Sequence, residues 1–87
     1  MSYTLDVPEH VDKIFLKLAK RNKIRLEAID KKIKQILENP HHFKPLRGDM
    51  KGARRVHIDS SFVLTYEIDE QNKVIKLLDY DHHDNIY

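Results

Sequence analysis

The last third of the chain, residues 48–87, reads GDMKGARRVHIDSSFVLTYEIDEQNKVIKLLDYDHHDNIY. Three segments in it alternate apolar with polar side chains or are apolar throughout, and two polar stretches, DSS and DEQNK, separate them. Such segments are typical of β-strands, and the intervening stretches are short enough to be hairpin turns. The third segment is apolar on both faces, which indicates a central strand. The pattern predicts strands at 53–58, 62–68 and 74–80.

The first of these strands carries the most reactive side chains. Successive strand residues point to opposite faces, so Val56 and Ile58 share one face while Arg55 and His57 share the other. Arg54 has the parity of Val56 but lies at the entrance of the strand, where it can reach solvent. We therefore expect a basic, histidine-containing face on this strand.

A short strand and a helix start precede this sheet. Residues 2–7 alternate and predict a strand whose odd-numbered residues, Leu5 among them, face the core. Asp6 and Pro8 then indicate the beginning of a helix, with Asp6 as its capping residue and Pro8 in the first turn.

Two amphipathic helices follow. The first runs to about Arg21 and the second from Lys23 to Glu38, and Asn22 is expected to make the tight turn between them. Two helices joined so closely are expected to pack as an antiparallel hairpin. Their apolar stripes are Val11, Ile14, Phe15, Leu18 and Ala19 in the first helix, and Leu26, Ile29, Ile33, Ile36 and Leu37 in the second.

The element order β-α-α-β-β-β predicts an α+β fold, in which an antiparallel sheet packs on the helical hairpin. The 87 residues are expected to form a single domain over 1–87. Since Val56 and Ile58 face the helices, Arg55 and His57 are expected on the open face of the sheet. The preceding loop, 41–52, carries Lys44, Arg47 and Lys51, and is either a phosphate clamp or an ordinary connector.

Composition narrows the functional classes. The chain has no cysteine, which excludes disulfides and thiolate chemistry and suits a reducing cytosol, so we expect a cytoplasmic protein. No apolar run approaches the ~18–20 residues needed to span a bilayer, and the N-terminus does not resemble a signal peptide. Residues 1–55 hold 14 Lys and Arg against 7 Asp and Glu, whereas 56–87 hold 2 against 7. These balances, +7 and −5, suit a basic half that attracts nucleic acid or an acidic protein, or two solvated helix faces.

Four motifs occur in this order and spacing: Leu46-Arg47-Gly48, Arg54-Arg55-Val56-His57-Ile58, Leu64-Thr65-Tyr66 and His82-His83-Asp84-Asn85-Ile86-Tyr87. Together they resemble the RelE/ParE superfamily of bacterial and archaeal toxins, and most of all its RelE branch of messenger-RNA interferases. The resemblance covers essentially the whole chain. The lysine-, glutamate- and isoleucine-rich composition favours a thermophilic or archaeal source.

The resemblance implies a toxin that enters the ribosomal decoding site and cuts messenger RNA there. It implies no metal and no other cofactor. The expected partners are a RelB-like antitoxin, the ribosome and its message, with toxin and antitoxin forming a hetero-oligomer. ParE-like relatives of the same fold instead inhibit DNA gyrase and are not nucleases, which is the alternative function. A general nuclease that needs no ribosome is a third.

The chain departs from the RelE pattern at two positions. Val63 occupies the place where RelE members usually have an arginine, and His83 replaces the arginine of the terminal motif. The YafQ and YoeB branches also have histidine and carboxylate in place of some cations, and the group of His57, His82, His83 and Asp84 resembles YafQ more closely. The departures are compatible with cleavage but leave open how the residues divide its roles.

Metal-free RNA cleavage needs a base for the 2′-hydroxyl, an acid for the leaving 5′-oxygen and cations for the phosphorane. We expect Arg55 to bind the phosphate, because its planar fork matches two oxygens. His57 and His83 then share the base and acid roles, since histidine titrates near neutral pH. Tyr87 orients the substrate or stacks on a base. The expected RNA-binding residues are Arg47, Lys51, Arg54, His82 and Asp84, the last also able to orient a histidine.

Alternatives remain open for the histidines. Asp81, His82, His83 and Asp84 are metal-ligand types, although adjacent residues of an extended segment point in opposite directions and rarely reach one ion. A disordered polar tail is a further interpretation. The pair at 41–42 is interpreted as loop surface, and Tyr66 as a structural residue because it has core parity.

Overall fold

A computed structural model describes residues 3–45 and 52–82 of the chain. Within these ranges the element order is the predicted β-α-α-β-β-β, and the α+β class is confirmed. Neither of the helices described there is long and apolar enough to cross a membrane. The elements are β1 (Thr4–Asp6), α1 (Glu9–Arg21), α2 (Lys23–Glu38), β2 (Ala53–His57), β3 (Phe62–Asp69) and β4 (Val74–His82).

The four strands form one sheet in the order β1-β4-β3-β2. β2 pairs antiparallel with β3, and β3 with β4, as the two polar turns predict. β1 pairs parallel with β4, with Thr4 opposite Val74, so the sheet is mixed. The prediction did not include this parallel pair, because the partner of a three-residue strand some 70 positions away is not encoded in local alternation.

β1 differs from the sequence prediction in two respects. It covers three residues, all exposed, and Leu5 is 37% exposed where a buried side chain was expected. The flanking Tyr3 and Val7 pack against the core, whereas β1 itself is an exposed edge strand of the sheet. Asp6 does not cap α1. The cap position belongs to Pro8, whose carbonyl oxygen accepts hydrogen bonds from the first turn.

The core lies between the helical hairpin and one face of the sheet. Both predicted helix stripes supply it, and Val11, Ile29 and Ile36 are fully buried. Tyr66 is also fully buried, and its hydroxyl donates to the Pro40 carbonyl oxygen at 2.6 Å, which confirms the structural role expected for it. Burial raises the pKa of Tyr66 to about 12. The strand residues of the core are Val56, Ile58, Leu64, Tyr66, Ile75, Leu77 and Tyr80.

A β-bulge in β4 explains why that strand is apolar on both faces. Thr65 pairs with Asp79, whereas the next residue of β3, Tyr66, pairs with Leu77, so Leu78 is an extra residue. Leu77 and Tyr80 therefore both face the helices although they are three positions apart. The Leu78 carbonyl oxygen lies 3.0 Å from the imidazole Nε2 of His10 on α1.

The turn between β2 and β3 is fixed to α2. The Asp59 carboxylate accepts hydrogen bonds from the backbone N–H groups of Ser61 and Phe62 and lies 3.3 Å from Nε of Arg25. These partners lower the pKa of Asp59. The Arg25 guanidinium also covers the Phe62 ring at 4.3 Å. Asn22 accepts from the N–H of Arg25 and so caps α2, with φ −152° rather than a left-handed conformation. These contacts of Arg25 tie the turn after β2 to α2.

Candidate nucleic-acid interface

β2 lies at the edge of the sheet opposite to β1, and it presents Arg55 and His57 on the face away from the helices. Val56 between them is 3% exposed and packs in the helix-side core, so its two neighbours point the opposite way. Arg55 is half-buried and His57 is exposed. The structure therefore places this predicted pair together, as alternation along the strand indicated.

Two cross-strand rows extend from this pair over the sheet. Each row begins with a basic or imidazole side chain on β2, crosses a fully buried small side chain on β3 and ends with a carboxylate on β4. Since adjacent strands lie about 4.8 Å apart, each row spans roughly 10 Å. A phosphate is attracted to the β2 end of these rows and repelled from the β4 end. The rows are Arg55–Thr65–Asp79 and His57–Val63–Asp81.

The two carboxylates of these rows are tied to their own strand. Asp79 accepts a hydrogen bond from the backbone N–H of Tyr80 at 2.8 Å, and Asp81 accepts one from that of His82 at 2.7 Å. Sequence reasoning named Asp81 only as a metal-ligand type and did not name Asp79. Their positions opposite the β2 residues depend on the bulge at Leu78, and alternation alone cannot locate a bulge.

Arg54 and His82 lie on the other side of the sheet from Arg55 and His57. The Arg54 guanidinium donates to the Phe43 carbonyl oxygen at 2.6 Å and more weakly to that of His41 at 3.4 Å. His82 pairs with Phe62 across the strands, and their rings meet edge to face at 5.5 Å. Of the four predicted site residues that the structure describes, it brings together two and separates two.

Five predicted site residues lie outside the described ranges: Arg47, Lys51, His83, Asp84 and Tyr87. Their roles remain predictions from the sequence and the resemblance. Among residues 3–45 and 52–82, no group of three His, Cys, Asp or Glu side chains is placed to hold a metal ion.

The segment before β2 runs along the outer edge of that strand. Pro45 bridges to Arg54, and the N–H of Arg55 donates to the Lys44 carbonyl oxygen at 3.1 Å. Between this segment, the edge of β2 and α2 lies a cavity of about 350 Å³, which we call the edge cleft. Sequence reasoning missed it, because its walls come from a helix, a loop and a strand. The cleft is lined by Lys32, His42, Phe43, Lys44, Arg55, Val56 and His57.

A second polar group, the Glu70 cluster, lies at the opposite end of the same segment. It consists of Tyr3, His41, Glu70 and Lys73. The Glu70 carboxylate accepts hydrogen bonds from Lys73 at 2.9 Å and Tyr3 at 2.8 Å and contacts His41 Nε2 at 2.7 Å. These partners, Lys73 first, lower the pKa of Glu70 to about 2. The cluster fixes His41 to the β3–β4 turn and so positions the start of the segment.

The sequence matches a family model over residues 6–87, described as a ParE-like toxin of the type II bacterial toxin-antitoxin system. It is also similar to a protein of Methanocaldococcus jannaschii that is named RelE4 and described as a toxin. The two are 51% identical over 85 residues, which cover 98% of this chain and 90% of the relative.

Solved structures share the fold. The YoeB/ParE toxin from Agrobacterium tumefaciens superimposes with a TM-score of 0.85 at 17% identity, over 92% of this chain and 98% of that one. The intact RelBE toxin-antitoxin complex of Escherichia coli contains a chain that superimposes with a TM-score of 0.77 at 24% identity, over 91% of this chain and 94% of that one. At these identities the likeness concerns the fold, including the outer strand that carries Arg55 and His57.

Proposed function

The chain belongs to the ParE-like family of type II toxins, within the RelE/ParE superfamily, and from this premise we propose that it is a ribosome-dependent endoribonuclease that cuts messenger RNA in the A site. The observation that supports the proposal most is the position of Arg55 and His57 side by side on one face of an outer strand. A cation that grips phosphate and a group that moves protons are what metal-free RNA cleavage requires.

In the proposed reaction the ribose 2′-oxygen attacks the adjacent phosphorus. A histidine takes the 2′-hydroxyl proton as the new P–O bond forms, and a second group protonates the 5′-oxygen as its bond to phosphorus breaks. The products are a 2′,3′-cyclic phosphate and a free 5′-hydroxyl. The Arg55 guanidinium offsets the extra charge of the phosphorane, a contribution of roughly 10²–10³ in rate.

The residue roles follow the geometry of β2. Arg55 holds the scissile phosphate, and His57, two residues along the same face, is one proton carrier. His83 is the other, and Tyr87 orients the substrate or stacks on a base. We propose RNA contacts for the remaining predicted residues, of which Arg54 also anchors the backbone of Phe43, and Asp84, whose carboxylate repels phosphate, orients a histidine. These are Arg47, Lys51, Arg54, His82 and Asp84.

We further propose a RelB-like antitoxin as the partner that holds the toxin inactive in a hetero-oligomer. This rests on the family and on the RelBE complex, in which the toxin chain of similar fold is bound to its antitoxin. The ribosome and its message are the proposed targets once the antitoxin is removed.

The test is primer extension on a programmed ribosome with the parent protein and the His57→Ala/His83→Ala variant. We expect discrete cuts in the A-site codon with the parent and a loss of about 10²–10⁴ in rate with the variant, the usual contribution of acid-base catalysis. His10→Ala is the matched control, because His10 contacts β4, at the Leu78 carbonyl oxygen and the Asp79 carboxylate, and so lies at the far end of the Arg55 row from β2. Equal cleavage by parent and double variant would remove the histidines from the mechanism.

Inhibition of DNA gyrase is the second candidate, because the matching family model is described as ParE-like. Protein contacts alone would carry that activity, and Arg55 and His57 would then have no chemical role. Growth arrest on expression, with inhibited supercoiling and no cuts on the ribosome, would favour it over the nuclease.

A further inference from the structure

We propose that the edge cleft binds a nucleotide that flanks the cleaved bond, with Lys32 and Lys44 as the cations that hold its phosphate. This inference rests on the proposed function and deepens it, since it assigns a substrate-binding subsite beside the reacting strand. Lys32 and His42 are not among the predicted site residues, and Lys44 was predicted only as one cation of a loop that is either a phosphate clamp or a connector.

Lys32 differs from the other lysines at the centre of α2. It lies three residues after Ile29 and four before Ile36, at the margin of the buried stripe, and it is half-buried against the cleft. Lys31 and Lys34 are exposed, and Lys34 pairs with Asp30 within the helix at 3.1 Å. The position of Lys32 directs a cation toward the edge of β2.

The opposite wall is the segment beside β2. The hydrogen bond from the N–H of Arg55 to the Lys44 carbonyl oxygen fixes this segment against the strand, and the contacts of Arg54 with the Phe43 and His41 carbonyl oxygens fix its beginning. His42 and Phe43 meet edge to face at 5.1 Å between these anchors. The segment that forms this wall is therefore held by hydrogen bonds at both its beginning and its end.

The two lysines of the cleft have no carboxylate partner within the described part of the chain. Its described lining contains two lysines, an arginine and two histidines and no carboxylate. Neither Lys32 nor Lys44 forms an ion pair with any residue of 3–45 or 52–82. Cations gathered without carboxylates lower the free energy of a bound phosphate, and the release of counterions from the nucleic acid adds to it.

Size and composition favour a nucleotide over a small anion. The volume of about 350 Å³ falls in the range of small-molecule sites, roughly 300–1,000 Å³. Phe43 and His42 supply ring surfaces on which any base can stack. The cleft also shares Arg55 and His57 with the reacting face, so a strand whose scissile phosphate lies at Arg55 continues into the cleft. An acidic protein segment would use the lysines but not this continuity.

The experiment measures the binding of a short 2′-O-methyl oligoribonucleotide, which lacks the attacking hydroxyl and cannot be cleaved. Fluorescence anisotropy across a salt series gives the affinity and its salt dependence for the parent and for Lys32→Gln. We expect the variant to bind about fivefold more weakly and its log K against log[salt] slope to fall by about 0.7, the value for one phosphate contact with a single strand.

Lys31→Gln is the matched control, since it removes the same charge one residue away on the exposed side of α2. It should bind like the parent, and Lys32→Arg should restore the slope. An unchanged slope for Lys32→Gln, or equal losses for the two glutamine variants, would overturn the subsite. So would a Lys32-dependent affinity for an oligoglutamate peptide without one for the oligonucleotide.

Primer extension with the same preparations separates this inference from the nuclease itself. Lys32-dependent binding in a parent that makes no cuts would support the subsite and refute the proposed cleavage. Cuts by the parent together with binding that ignores Lys32 would support cleavage and refute the subsite.

Discussion

The edge cleft and the Glu70 cluster both adjoin the segment 41–45, but they differ in how their charged groups are paired. The Glu70 carboxylate accepts hydrogen bonds from Tyr3 and Lys73 and contacts His41, so its charge is paired within the protein. The described lining of the edge cleft gathers cations without any carboxylate. The difference is consistent with a cluster that stabilises the fold and with our proposal that Lys32 and Lys44 of the cleft bind a phosphate.

The sharpest test of this comparison is Arg55→Ala. It removes the cation proposed to hold the phosphorane, so we expect the single-turnover cleavage rate to fall by about 10²–10³ while the thermal midpoint changes little. Arg55→Lys should recover only part of the rate, since an ammonium cannot grip two oxygens in one plane. If Glu70→Gln lowered the rate as much as Arg55→Ala, the division into a structural and a functional region would be wrong.

Tyr66→Phe tests the hydrogen bond that anchors Pro40, the residue directly before the segment 41–45. It leaves the Pro40 carbonyl oxygen without the buried hydroxyl that now donates to it, so we expect a loss of about 1–3 kcal/mol in the free energy of unfolding, measured in urea. Tyr80→Phe is the matched control, because its buried hydroxyl has no hydrogen-bond partner among the described residues. It should be nearly neutral, and equal losses in the two variants would contradict the role of the Pro40 contact.

Glu70→Gln should have the smallest effect of the three, a loss of thermal stability that depends on pH. The pKa of Glu70 is lowered to about 2 from 4.5, so the stabilisation is present above pH 4.5 and is lost as pH falls toward 2. We expect the variant to have a lower thermal midpoint than the parent at neutral pH, with the two midpoints converging in acid. A difference that does not vary with pH would mean that the carboxylate charge is not what stabilises the cluster.

Sequence patterns predicted the elements whose signals are local. The break at Asn22 and the stop at Asn39-Pro40 predicted the limits of α2, Lys23 and Glu38. The parity of Val56 predicted that Arg55 and His57 lie on the face away from the helices. Local signals failed at β1, where Asp6 looked like a cap and Leu5 like a core residue. Leu5 is exposed because β1 is an edge strand, and Asp6 does not cap α1 because Pro8 occupies the cap position.

The candidate site was predictable only along β2. Asp79 and Asp81 share rows with Arg55 and His57 because of a bulge, and nothing in the alternation of β4 marks Leu78 as the extra residue. Lys32 and His42 are ten positions apart in the chain and meet in the cleft only because the segment before β2 pairs with that strand. Such contacts depend on how distant segments pair in the fold, and the spacing of residues along the chain does not predict that pairing.

The parallel pairing of β1 with β4 affects how the protein folds during its synthesis. β4 is an interior strand of the sheet, yet of the four strands it leaves the translating ribosome last, and its neighbour β1 leaves first. Chains grow at about 5–20 residues per second, and contacts between distant positions form slowly because the long intervening loop must first be closed. The hairpin of β2 and β3 can form early, but the sheet cannot close until β4 emerges. The sheet that positions Arg55 and His57 is therefore completed only after β4, the last of the described strands, has been synthesised.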